Sequence, residues 1–404
     1  MIGASATVRR VVQGDLCSGC GLCAGVSRGA ISMDTSSGFS RPVQTAPIDQ
    51  PTEALIASAC PGAVIAPWGP APNADPCWGP WRQIYTGHST DAEIRFRGSS
   101  GGALTALALF ALKSGQVDRV IHVAADPANP TGNIITCSTQ ADEIIEGAGS
   151  RYAASSPLDG VEAMLSDGGA AAFIGKPCDV GALRQLALSD PRVDRHMPLK
   201  LAFFCAGIPN QRGVDRILRT MGVAPEEVAS FRYRGNGWPG AATAVTHDGR
   251  TFKMSYADSW GEHLSPEVQF RCKICPDAVG GAADLACADA WYEDENGYPS
   301  FDEGEGRSMI VTRTAVGERL LNDAVAKGAM QVDPLDVAEI EKMQGSQGAR
   351  KRAVRARFAG LAVTLQPRPV ATGAMIREAS AEAPFLVQIR NFLGTVRRVA
   401  MGRK

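Results

Sequence analysis

The segment Cys17-Ser-Gly-Cys20-Gly-Leu-Cys23 spaces its thiols as C-x2-C-x2-C. A loop of that spacing can hold three corners of an iron–sulfur cube. Gly19 and Gly21 let the backbone wrap closely and turn its amides toward sulfur. In two-cluster bacterial proteins the run continues x3-Cys-Pro. Here Ser27-Arg28 stands at that place, and the cysteine followed by proline comes later, in Ala59-Cys60-Pro61-Gly62. Cys17, Cys20, Cys23 and Cys60 are therefore expected to hold one 4Fe–4S cluster, with no second cubane in the same module. Zinc sites usually pair C-x2-C with another such pair or with histidines, and no histidine lies near.

A second pair, Cys272-Lys-Ile-Cys275, needs two further ligands. Cys178 follows an expected strand within Gly-Lys-Pro-Cys, and Cys205 ends the next. Neighbouring parallel strands end on the same side of a sheet, so these four thiols can meet at a second 4Fe–4S cluster. The alternative is a redox-active Cys272/Cys275 dithiol beside unrelated core thiols. Cys287 is the rival fourth ligand, Cys137 a spare, and Cys77 reads as a packing thiol. Arg97-Gly-Ser99-Ser100-Gly101-Gly102 heads a helix and offers amides, hydroxyls and a cation to a phosphate. It is neither G-x-G-x-x-G nor a Walker loop, so a plain glycine-rich cap explains it equally well. Ser150-Arg151-Tyr152 adds a cation and a ring, and Trp238 can act as lid or stacking wall.

Around these residues the chain of 404 residues is long enough for two or three domains. Hydrophobic residues make up 45% and charged residues 21%, and the net charge is −1. That balance gives no electrostatic case for nucleic acid. The cysteines cluster as C-x-x-C, which suits metal ligation in a reducing compartment. The start shows no signal-like pattern and no apolar run is long enough for a bilayer, so a cytoplasmic protein is expected. A homo-oligomer is compatible with this composition.

The expected fold is α/β (α+β). Residues 1–66 form a ferredoxin-like iron–sulfur module, closed by the Pro67-Trp68-Gly-Pro-Ala-Pro linker. Residues 77–347 form a mixed-sheet flavin-binding domain. Its strands are expected at 117–124, 133–138, 170–175, 199–204 and 308–312, with helices between them. Further strands fall in 228–256, with turns at Asn236-Gly237 and Asp248-Gly249, and an acidic glycine-containing loop follows at 293–305. Residues 348–404 form a basic helical tail. From Arg350 onward the tail carries twelve Lys or Arg against Glu378 and Glu382. Phe385, Ile389, Phe392, Val396 and Val399 recur at helical spacing. This reads as a helix packed on the main domain, or as a dock for an acidic ferredoxin or an anionic membrane.

Taken in order, Gly87-His-Ser-Thr-Asp91-Ala-Glu-Ile-Arg95, Ser-Ser-Gly-Gly, Gly149-Ser-Arg-Tyr152, Gly-Lys-Pro-Cys178-Asp, Phe204-Cys205-Ala-Gly207-Ile-Pro209 and Arg271-Cys272-Lys-Ile-Cys275-Pro-Asp277 resemble one family. It comprises the beta subunits of deazaflavin-coenzyme-reducing hydrogenases and dehydrogenases. Hydroxymethyl chlorophyll a reductase and ferredoxin-dependent divinyl chlorophyllide reductase belong to it too. The resemblance covers about residues 10–345. It implies FAD bound without a Rossmann fingerprint, 4Fe–4S clusters, hydride delivery from reduced flavin, and the second ligand set of Cys178, Cys205, Cys272 and Cys275. Lys176 stands where the family usually has threonine, and is expected to stabilise charge beside the flavin or a substrate oxygen. Ala283-Asp284-Leu-Ala-Cys287-Ala-Asp289 also departs from the family pattern.

The expected activity is a ferredoxin-dependent reductase. Electrons pass from a ferredoxin through two clusters to FAD, then as hydride to a small organic acceptor. The alternative is an electron-relay subunit that exchanges electrons with a deazaflavin coenzyme and a partner enzyme. A third reading, a zinc-stabilised interaction protein, predicts a colourless preparation.

Overall fold

The computed structural model describes residues 3–295 and 299–402. Asn296 and Gly297 of the acidic loop, and Arg403 and Lys404 of the basic tail, lie outside the described residues.

The core is an eight-stranded mixed sheet. Its strands are β1 (Gln83–Ser89), β2 (Arg119–Ala125), β3 (Asn133–Ser138), β4 (Ala171–Gly175), β5 (Leu199–Phe203), β6 (Leu285–Asp289), β7 (Ser308–Thr312) and β8 (Met330–Pro334). Across the sheet they run β8-β1-β7-β6-β5-β4-β2-β3. β2, β4, β5 and β6 are mutually parallel, while β7 is antiparallel to both β6 and β1. β1, β4, β5 and β6 thus end on one edge. β4, β5 and β7 are almost wholly buried, as strands covered on both faces must be. Helix α1 (Ala103–Lys113) packs its alanines and leucines into this core.

The expected strands and helices between residues 103 and 221 appear within a few residues of their predicted places. The Asp248-Gly249 turn joins Ala242–Thr246 to Thr251–Met254, whereas Asn236-Gly237 lies in a longer loop. The sequence reading missed β1, β6 and β8.

Ahead of the sheet, the strands Ile31–Asp34 and Arg41–Gln44 pair antiparallel beside the helix Gln50–Ala59. Helix Ile340–Val363 is kinked at Gln344, where the backbone leaves helical angles, and continues through residue 348, so the tail begins inside a helix. The next long helix, Phe385–Ala400, lies against it where Gly360 meets Thr395. Of its residues only Thr395 is buried, and Phe385 is 76% exposed. The predicted apolar stripe packs only in part: Phe385 and Ile389 are exposed, Phe392 and Val396 are half-buried, and Val399 packs on the cluster that holds Leu361. No helix among the described residues is long and apolar enough to cross a membrane.

Candidate iron–sulfur relay site

The first cysteine set is built by its own backbone. Gly19 and Gly21 take positive φ angles of 77° and 85°. A Cβ on Gly21 would lie 2.7 Å from the Asp159 amide, so the loop can seat on residues 156–159 only with glycine there. Leu158 N donates to Cys20 O at 2.9 Å and holds that seat. Cys60 caps the Gln50–Ala59 helix, and its carbonyl accepts from Ala63 and Val64. Gly19 N points at Cys17 Sγ at 3.4 Å. Amides of Leu22, Ala24, Gly62 and Ala63 do the same for Cys20, Cys23 and Cys60. Burial pushes these thiols up, Cys60 to about 11; repulsion from neighbouring thiols adds to it at Cys20, Cys23 and Cys60, while Arg41 and Arg271 oppose it at Cys17. A positive metal centre relieves that penalty.

The second set forms on the carboxyl edge of the sheet, the usual place for a site in such folds. β4 ends at Gly175, and helix Pro177–Ala187 starts at once, with proline in its first turn. This puts Cys178 at the helix start. β5 delivers Cys205, whose amide bonds to Ala278 O at 2.8 Å. The Gln269–Asp277 turn then brings Cys272 and Cys275 to the same cavity. Burial and the neighbouring Cys272 and Cys275 push Cys205 up to about 12. Cys287 sits in the apolar core with Leu201, Leu285 and Ile310, raised by burial alone, and does not line this cavity. Among the described residues no three Cys, His, Asp or Glu are gathered closely enough for one ion. A tetrahedral zinc draws its thiolates to about 3.8 Å from one another, whereas a cubane holds them apart on four irons.

Lys176 lies here too. It is buried, 2.8 Å from Asp179 and 3.3 Å from Ser155 Oγ. Burial alone would lower its pKa, but Asp179 and the thiols of Cys178 and Cys205 outweigh this and hold the ammonium charged. Sequence reading passed over Asp179, Arg350, Ser18 and Arg271. Arg350 donates to the carbonyls of Cys205 and Ala206 at 3.1 and 2.9 Å. Ser18 and Arg271 line the second cavity, although Ser18 belongs to the first loop. The two cysteine sets are thus neighbours. The one signal in the sequence was a cation directly before a C-x2-C pair.

The candidate flavin residues gather elsewhere on the same edge. Gly102 caps α1 with φ 71°. Arg97 pairs with Glu93 at 3.0 Å and remains partly open to solvent. Ser99 Oγ accepts from Ser150 N, Ser99 O accepts from Arg234, and Ser100 Oγ meets Ser308 Oγ at 2.8 Å. Arg234 holds Asp289 by two contacts of 3.0 and 2.9 Å, and Trp238 Nε1 donates to the same carboxylate. Trp238 stacks on Trp291, so it is a wall and not a free lid. Arg151 is engaged by Asn133, Pro130, Gly132 and Phe231, and Tyr152 packs on Tyr233 and Trp260. A flavin phosphate would have Arg97, Ser100 and the α1 start to bind, but not Arg151.

The description "Coenzyme F420 hydrogenase/dehydrogenase, beta subunit" matches through its N-terminal part at residues 84–161 and its C-terminal part at 169–338. The Coenzyme F420 hydrogenase subunit beta of Methanococcus voltae is 24% identical over 299 residues, 71% of this chain and 99% of that one. The F420-dependent formate dehydrogenase 1 subunit beta of Methanococcus maripaludis is 26% identical over 248 residues, 61% of this chain and 60% of the relative. A chain of the F420-reducing [NiFe] hydrogenase complex from Methanosarcina barkeri shares the fold, with a TM-score of 0.52 at 23% identity, covering 70% of this chain and 96% of that chain. With both halves matched in order across the sheet and the second cysteine set, the chain belongs to the family of coenzyme F420 hydrogenase/dehydrogenase beta subunits.

Proposed function

We propose that this chain is an electron-relay subunit that exchanges electrons with a deazaflavin coenzyme and with a partner enzyme. The observation that carries this reading is the contiguity of the two cysteine sets, with Ser18 and Arg271 in the wall between them. The names of the relatives support the relay over a self-sufficient reductase that delivers hydride to a further organic acceptor. When bound, iron–sulfur clusters carry single electrons and FAD converts them to a hydride pair. The chain's own part is to hold, insulate and bias. Cys17, Cys20 and Cys23 are buried, the four thiols of the second set are half-buried, backbone amides face sulfur in the first set, and Lys176 with Asp179 fixes the helix start that carries Cys178.

The test is anaerobic reconstitution followed by rapid mixing of dithionite-reduced protein with oxidised deazaflavin coenzyme. We expect about eight irons and one FAD per chain, and bleaching of the coenzyme faster than by dithionite alone. A reduced protein that leaves the coenzyme untouched but reduces another organic acceptor would return the reading to the reductase.

The partner surface is proposed at the basic tail. Arg398 faces Lys273 and Arg357 closely enough to lower both, after burial, and Arg357 is brought to about 10. This positive patch, offset in part by Glu267, stands beside Cys272 and fits an acidic electron carrier such as a ferredoxin. Replacing Arg397 and Arg398 with glutamate should raise the apparent KM for such a carrier about two- to five-fold per charge at low salt. The difference should vanish at high salt, and reduction by dithionite should be unchanged. Loss of binding to anionic vesicles with an unaltered KM would point to a membrane instead.

A further inference from the structure

One side chain belongs to both cysteine sets. Arg271 directly precedes Cys272, is 2% exposed, and lines the cavity with Cys178, Cys205 and Cys275. Its Nη2 donates to Pro61 O at 2.9 Å, the carbonyl that follows Cys60. Its Nε and Nη1 are buried without a well-formed hydrogen bond, and the guanidinium faces the Cys275 thiol. An unpaired buried donor is costly, and a charged one more so. Ser18 Oγ, between Cys17 and Cys20, is also buried, also without a partner, and lines the same cavity. Three orphaned donor atoms on two side chains, one from each set, therefore face a cavity lined by four thiols together with Lys176, Gln269, Asp277 and Arg350. Of its side-chain acceptors, Gln269 Oε1 takes Arg41 and Asp277 Oδ1 takes Gly281 N, which leaves thiol sulfur to meet these donors.

We propose that Arg271, assisted by Ser18, is a positioning residue that donates hydrogen bonds to the sulfur of a cluster held by Cys178, Cys205, Cys272 and Cys275, and ties that cluster to the turn carrying Cys60. This rests on the iron–sulfur reading above. Hydrogen bonds and positive charge favour the more negative, reduced state, so they raise a cluster's potential. The guanidinium also faces Cys17 and Cys60, where its charge acts in the same sense but without an orphaned donor. Lys176 and Arg350 line the cavity as further cations, and Asp277 as an anion. Removing Arg271 should therefore lower the second potential more than the first.

The test uses the full chain, reconstituted anaerobically and grown with 15N-arginine. Pulsed EPR of the reduced second cluster should show an arginine 15N coupling, and Arg271→Gln and Arg271→Lys should lose or weaken it. In a redox titration, Arg271→Gln with full iron should shift the sharing of an electron between the clusters about ten-fold, equivalent to 59 mV for one electron. Ser18→Ala should move it less, in the same direction. If Arg271→Gln loses the second cluster, the coupling in the unsubstituted chain decides. Absence of that coupling, or unchanged potentials in an iron-replete Arg271→Gln, overturns the proposal. An unsubstituted chain that forms no clusters overturns the iron–sulfur reading, and the proposal with it.

Discussion

Replacing Cys275 with alanine should leave about four irons per chain where about eight are expected. The surviving signal should belong to the cluster at Cys17, Cys20, Cys23 and Cys60. That set is held by its own loop amides, by Leu158 and by the Cys60 cap, none of which Cys275 touches. The second set loses one of four sulfurs. The spare thiol nearest in sequence, Cys287, sits in the apolar core on a central strand and cannot replace it without moving β6. Iron analysis and EPR of the reduced protein read the result. Full iron content would show that another thiol serves, and loss of all iron would show that the two sets form only together.

The Lys176–Asp179 pair gives the other large effect. Both side chains are buried, with their charges 2.8 Å apart. Removing one partner strands the other in a dry site, so Asp179→Ala should cost about 3–5 kcal/mol of stability. Lys176→Thr, which restores the usual family residue, should fall in the same range because Lys176 is the cation that faces Asp179 among the described residues. The double change Lys176→Met with Asp179→Leu should recover most of the loss, since apolar pairs often replace buried ion pairs at little cost. Urea unfolding of the four proteins measures this directly. If Lys176→Thr keeps full stability but alters electron exchange, the lysine acts on the chemistry and its structural part is minor.

The cysteines were legible because ligand spacing is local. Cys17, Cys20 and Cys23 share one loop, and Cys178 and Cys205 follow strands whose patterns are plain. What failed was less local. Leu285–Asp289 is rich in alanine and cysteine and lacks β-branched residues, so its place at the centre of the sheet was hidden. In the Phe385–Ala400 helix the apolar period is real, but only its C-terminal end at Val399 meets an apolar surface; further up, Arg357 reaches Asn391 at 3.1 and 2.9 Å and Gly360 admits Thr395. Periodicity identifies a face without saying what waits opposite it. Arg271 was visible only as a cation before a C-x2-C pair and Ser18 not at all, because an orphaned donor exists only once every neighbour has been placed.

The chain also closes on itself. Ile65 N bonds to Val370 O and Val370 N to Ala63 O, so the turn after Cys60 is completed by a segment made some 310 residues later. Arg350 likewise arrives late to hold the Cys205 carbonyl. At ordinary translation speeds that interval is about 15–60 s. During it the first four thiols stand in a nascent chain without the Val370 bridge that closes their turn. A chain that stalls before residue 370 should therefore emerge as a thiol-bearing fragment with that turn open.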